Sequence, residues 1–358
     1  CDRIFCDRLT TELDQQLYLK ELSSILKQTF PSSSSDAMID PCLFGDFKDA
    51  VDRVTSGGTS EDIPLYNDMG NYEDVRNIFD AVLEQYNTEN KAMSLVLFEQ
   101  ALDHLCRIHR IIRNERGNAL LVGVGGSGKQ SLSTLAAYCA GYKLFQITLS
   151  RGYGEIQFKE DLKELYKMLG EGGVVFLFTD AHVVEEGFLE FINNMLTTGM
   201  VPALYEQDEK DSLCNTVRNE CRASGLAETP DNLWTTYVNK CRANLHMLLA
   251  MSPSGDKLRI RCRNFPGLVS NCVIDWFFPW PETALQAVAH HFLGEEEIPD
   301  SYKQPIINHM VKVHLSVGHY SARYEEELRR QNHVTPSNYL DYIDTYKLHL
   351  AANRKENH

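Results

Sequence analysis

The sequence predicts an α/β fold, a parallel sheet with helices on both faces, followed by an all-helical subdomain. Three observations carry this. Short apolar runs alternate with helical segments between residues 118 and 280, the pattern of a parallel sheet covered on both sides. One junction between an apolar run and a helix is a Gly-rich loop of phosphate-binding type. From Pro281 onward the pattern is helical only.

Composition sets the outer limits. The chain has 358 residues and a formal net charge of −15. That length suits two or three domains with a large core, and the acidity argues against a nucleic-acid-binding surface. The ten cysteines form no C-x-x-C pair and no His cluster complements them; they read as reduced thiols of a cytosolic compartment rather than zinc ligands. No apolar run approaches the roughly 18 residues of a membrane span, so no membrane partner is expected. The N-terminus is not a signal peptide and lacks an initiator Met; the expectation is a segment of a longer chain.

Residues 1–30 read as helical, with Leu9, Leu13, Leu17, Leu22 and Ile25 near helical spacing. Pro31 and the serines 32–35 end that unit and open a linker to residue 71, with Gly57-Gly58 as its flexible point. Helices follow near 72–87 and 92–114, the second with Phe98, Leu102, Leu105, Ile108 and Ile112 on one face. Strands are expected near 118–122, 143–149, 173–179, 244–250 and 272–277, and helices near 129–140, 155–169, 184–197 and 256–264. Residues 206–242 form a long polar insertion. The large α/β unit is placed at 72–280, a helical lid at 281–335 and a last helix at 336–358. Thr335 is its N-cap and Pro336 its first position. Tyr339, Ile343, Tyr346 and Leu350 make a seam that suits either an amphipathic lid helix or the root of a coiled coil.

The Gly-rich loop is Gly123, Val124, Gly125, Gly126, Ser127, Gly128, Lys129, Gln130 and Ser131. It matches G-x-x-x-x-G-K-[ST] except at Gln130, where a hydroxyl normally helps to hold Mg²⁺. Backbone N–H groups and the Lys129 ammonium still suit phosphate, so bound ATP or ADP with only weak Mg²⁺ is expected. The partner strand ends in Thr179, Asp180 and Ala181, where such an ATPase carries Asp-Glu. Two registers are open. With Asp180 as the metal-ordering acid, no general base remains; with Thr179 in the metal position, Asp180 is a base one methylene short. A displacement of about 1 Å at such a position costs ~100-fold, so both registers predict weak hydrolysis. Ser252, after the fourth strand, is either a γ-phosphate sensor or a turn former. The basic run Arg259, Arg261 and Arg263 is either a solvated face or the source of a finger for a neighbour's nucleotide. Glu185 and Glu186 read as solvent-facing.

Taken together, residues 117–132, 176–190, 193–204 and 262–280 resemble the fourth AAA+ module of dynein motor heavy chains, of axonemal more than cytoplasmic type. The resemblance covers most of the chain. It implies an AAA+ P-loop NTPase core with a helical lid, in which residues 1–30 close the preceding module and 336–358 lead toward a stalk. It further implies a regulatory ATP- or ADP-binding module of a microtubule motor in the cytoskeleton of the cilium axoneme. Neighbouring AAA+ modules would be the partners, and the microtubule would be reached only through the stalk. On this resemblance Lys129 reaches the β/γ-phosphates, Thr179 takes the metal position, Asp180 that of the base and Ser252 that of a sensor. Arg263 is the finger in trans. No Arg stands near Asn338, where a second sensor is often found.

Overall fold

The computed structural model describes residues 5–32, 41, 43–48, 50, 65–294, 296–330 and 332–356. A two-residue ribbon pairs β1 (Phe44–Gly45) with β2 (Asn67–Asp68). The central sheet holds β3 (Ala119–Val122), β4 (Lys143–Phe145), β5 (Val174–Thr179), β6 (Leu245–Met251) and β7 (Val273–Trp276) in the order β4-β5-β6-β3-β7. Every pairing in it is parallel. The near-continuous apolar runs of β3, β5 and β6 are buried along their whole length, as a sheet covered on both faces requires.

Side chains of a strand alternate between faces, and the two faces build two cores. Ala119, Leu121, Val175, Leu177 and Leu248 pack with helices Tyr72–Glu89, Glu99–Arg113 and Lys129–Cys139. Leu120, Val122, Phe176, Phe178 and Leu249 pack with helices Glu155–Glu171 and Phe188–Thr198. The polar insertion folds into helices Gln207–Thr216, Arg218–Ala223 and Pro230–Asn244.

A third core belongs to the helical subdomain, helices Glu282–Gly294, Asp300–Leu328 and Pro336–Glu356. Leu285, Val288, Ile307, Met310, Tyr339 and Ile343 are its centre, with Tyr346 and Leu350 packed against it. The Tyr339-to-Leu350 seam is therefore spent on the lid. Thr335 caps the last helix as expected: the Asn338 N–H donates to Thr335 Oγ1, and the Thr335 N–H donates back to Asn338 Oδ1 at 2.9 Å.

Several expectations are corrected. The helix expected from residue 92 begins at Glu99, and residues 94–98 run without regular structure beside the Gly-rich loop. Strand β4 ends at Phe145 rather than 149. Leu43, Phe47 and Ala50, placed in the linker, are buried in the first core; apolar side chains hidden in a Gly- and Asp-rich context were outweighed by the loop signal. Gly57 and Gly58 lie outside the described residues. Helix Glu12–Thr29 forms, and it leaves Leu13, Leu17 and Ile25 exposed.

Candidate nucleotide site

The Gly-rich loop sits at the carboxyl end of β3, which lies between β6 and β7, on the edge of the sheet where ligands bind in open α/β folds. Its form follows from its glycines. Gly126 and Gly128 have φ of 77° and 90°, which L side chains rarely adopt. An added Cβ at Gly123 would stand 2.5 Å from Phe277 Cβ, and one at Gly126 would stand 2.1 Å from Ser337 Oγ. The loop is thus wedged between the end of β7 and the first turn of the last helix. It leads directly into helix Lys129–Cys139, whose unpaired N-terminal amides favour an anion. That helix stops at Ala140 and Gly141, the latter at φ 73° with its N–H on Tyr138 O.

Lys129 Nζ donates to Gly123 O at 2.6 Å, Val124 O at 2.8 Å and Ser127 Oγ at 3.2 Å. Burial pushes its ammonium down to about 8, against an opposing pull from Asp180. The lysine and the acid therefore face one another across the site. Gln130 is exposed and Ser131 half-buried.

Next to the loop lies an open cleft of about 520 Å³ lined by Leu95, Val96, Phe98, Trp280, Phe292 and Leu340, with Gly126 and Gly128 at its edge. Phe98 and Trp280 meet edge to face at 5.3 Å. An apolar, aromatic lining beside a phosphate loop is the chemistry that a nucleobase requires. Sequence reasoning missed these residues. They come from three distant segments, and no local motif marks them.

The second half of the site differs from expectation. Asp180 Oδ1 accepts from Arg261 Nη1 at 2.6 Å, and Oδ2 accepts from the Ser252 N–H at 2.5 Å. Arg261 is 7% exposed and also grips Glu186, through Nη2 at 2.7 Å and Nε at 3.2 Å. Its guanidinium is held protonated first by the Glu186 hydrogen bond, against burial. Glu186 is exposed, as expected, and at the same time pairs with the buried Arg261. Within the basic run, Arg261 turns inward while Arg259 and Arg263 stay exposed. Thr179 is buried, and its N–H donates to His182 Nδ1 at 3.1 Å; burial lowers the His182 pKa, which suits a neutral acceptor. Ser252 Oγ accepts the Ser254 N–H at 3.3 Å and lies 3.1 Å from Ser254 Oγ, a turn-forming arrangement. Among the described residues, no group of three or more His, Cys, Asp or Glu could hold a metal. Asp180 is neutralised by Arg261 at 2.6 Å, so these residues offer little net charge to a cation.

Behind the loop, Asp275 of β7 is fully buried between His104 Nδ1 at 2.8 Å and Arg107 Nη1 at 2.9 Å. Arg107 Nε lies 3.8 Å from Asp7. His104 stacks on Phe277 at 3.8 Å and 7°, and Phe277 is the residue that backs Gly123.

Comparison with known proteins agrees with this architecture. The family described as P-loop containing dynein motor region D4 matches residues 93–348. The dynein-1-alpha heavy chain of the flagellar inner arm I1 complex of Chlamydomonas reinhardtii is 54% identical over 359 residues, which cover 99% of this chain and 8% of that protein. Dynein axonemal heavy chain 10 of Homo sapiens is 51% identical over 97% of this chain and 8% of its own length. The dynein beta chain of the flagellar outer arm of C. reinhardtii is 40% identical over 99% of this chain. The chain spans about 8% of the length of these relatives. With a Gly-rich loop at the carboxyl end of β3 in a parallel sheet and a helical lid packed beside it, the chain belongs to the dynein heavy-chain family, as its fourth AAA+ motor module.

Proposed function

We propose that this module binds an adenine nucleotide, ATP or ADP, at residues 123–131 and in the adjoining cleft, hydrolyses it slowly or not at all, and serves as a regulatory site of an axonemal microtubule motor. The observation that carries the reading is the contrast between the two halves of the site. The phosphate loop is complete in backbone, glycines and lysine, whereas Asp180 has both oxygens bound by Arg261 and Ser252. Phosphoryl transfer depends on positioned charge around the γ-phosphate and the attacking water, and that is the part weakened here. Mg²⁺ enters with the phosphates and draws little from this chain. The partners are neighbouring AAA+ modules, with the last helix directed toward a stalk, and the microtubule is engaged only indirectly. Exposed Arg263 is the candidate finger for an adjacent module's nucleotide. It also favours a second reading, in which a neighbour's Arg completes this site in turn and makes it an active ATPase.

The test is calorimetric titration of the chain with ADP and ATP, with and without Mg²⁺, beside Lys129→Ala. Expected is micromolar binding that depends mildly on Mg²⁺ and disappears in the variant. A folded, nucleotide-free sample that gives no heat with either ligand would leave a structural ring segment as the function.

A further inference from the structure

We propose that Arg261 is an internal latch on hydrolysis, a positioning residue that keeps Asp180 from the attacking water. This rests on the nucleotide-binding reading above and names what limits turnover at that same site. A carboxylate acting as general base needs an oxygen within hydrogen-bond reach of the water it deprotonates. Each Asp180 oxygen is held in direction by one donor: Arg261 Nη1 on Oδ1 at 2.6 Å and the Ser252 N–H on Oδ2 at 2.5 Å, so the carboxylate is turned toward the arginine and its charge is paired there. The arginine is permanently charged.

The latch has a second seat. Glu186 holds the same guanidinium at 2.7 Å through Nη2 and at 3.2 Å through Nε. When Asp180 turns toward a water, Arg261 stays paired with Glu186 and is not left as a lone buried charge, which would be strongly unfavourable. The guanidinium is shared between one acid that lines the nucleotide site and one that does not. Helix geometry keeps the three arginines apart: at about 100° per residue, Arg261 points away from Arg259 and Arg263, which remain exposed.

In the released arrangement the chemistry balances without a further reactant. A water oxygen bonds to the γ-phosphorus of ATP as the bond to the β–γ bridging oxygen breaks. That electron pair leaves with ADP, the water's proton passes to Asp180 and on to solvent, and inorganic phosphate carries the water oxygen away.

The experiment measures single-turnover ATP hydrolysis by the 358-residue chain together with its ATP affinity. General-base assistance is worth about 100- to 10,000-fold, so partial recovery in Arg261→Gln is expected to raise the rate about tenfold, with ATP affinity changed less than about twofold. Adding Asp180→Asn should return the rate to that of the parent, a dependence that a merely structural arginine would not show. Arg261→Lys keeps the charge, loses the fork and should fall between. A rate in Arg261→Gln equal to or below the parent's, with ATP still bound, overturns the latch. So does a double variant as fast as Arg261→Gln. If Arg261→Gln does not bind ATP, the same comparison with Arg261→Lys decides. Binding without acceleration removes the latch alone; absence of binding in the parent removes the nucleotide-binding reading, and the latch with it.

Discussion

Asp275→Asn keeps the size of the side chain and removes its charge. Asp275 is 1% exposed and sits between His104 and Arg107. Burial alone would raise its carboxyl; the charges and hydrogen bonds of His104 and Arg107 reverse this and bring it from 3.8 to about 2. At 1.36 kcal/mol per pKa unit, that difference is on the order of 2 kcal/mol of stability. The folded value lies below the unfolded one, so the contribution is complete above about pH 4 and is lost as pH falls toward about 2. Substitution does more than remove this contribution, because it leaves the half-buried Arg107 facing a neutral amide. Removing one member of a buried pair costs about 3–5 kcal/mol. Asp7 remains 3.8 Å from Arg107, which places the loss near the lower end. About 3 kcal/mol lowers the Tm by roughly 4 °C in a chain of 358 residues. Differential scanning calorimetry at pH 7 checks the shift, and urea melts between pH 2 and 5 check that the variant lacks the acid-side loss. A Tm within about 2 °C of the parent would refute the claim that this pair holds β7 to helix Glu99–Arg113.

The same geometry supports three further tests. Gly126→Ala forces a Cβ to within 2.1 Å of Ser337 Oγ at φ 77°; ADP affinity is expected to fall at least about tenfold, measured with a fluorescent ADP analogue. Lys129 is held at about 8, and a phosphate partner raises it; ADP affinity, followed by calorimetry across pH 7 to 10, should therefore be full below pH 8 and decline toward about tenfold per pH unit above it. Trp280 lines the apolar cleft, and base–aromatic stacking is worth about 1–3 kcal/mol; Trp280→Ala should weaken ADP binding about tenfold or more by calorimetry and leave inorganic phosphate binding unchanged.

The phosphate loop and the five strands were legible because both are local: glycine positions and apolar runs are written in consecutive residues. The cleft was not, since residues 94–98, Trp280, Phe292 and Leu340 meet only through the lid. The role of Arg261 lay within reach. At helical spacing, the middle residue of the Arg259, Arg261 and Arg263 run must face away from the other two, yet the expectation assigned all three one environment. Its pairing with Glu186 joins residues 75 apart in the chain, which no spacing rule encodes. Phe47 and Leu43 were concealed by turn-like neighbours, where loop composition outweighed two buried side chains.

The contact between Ser337 and Gly126 has a mechanical consequence. The helix that starts there has 21 residues, about 30 Å of rod at 1.5 Å per residue. Tyr339, Ile343, Tyr346 and Leu350 bind it to the lid core, so it does not bend alone; lid and rod turn together. Each degree of rotation about the loop then carries the far end about half an ångström sideways, by the length of the rod. By that geometry a rotation of about 6° at the loop would move Glu356 by about 3 Å, while an atom about 3 Å from the pivot would move only about 0.3 Å.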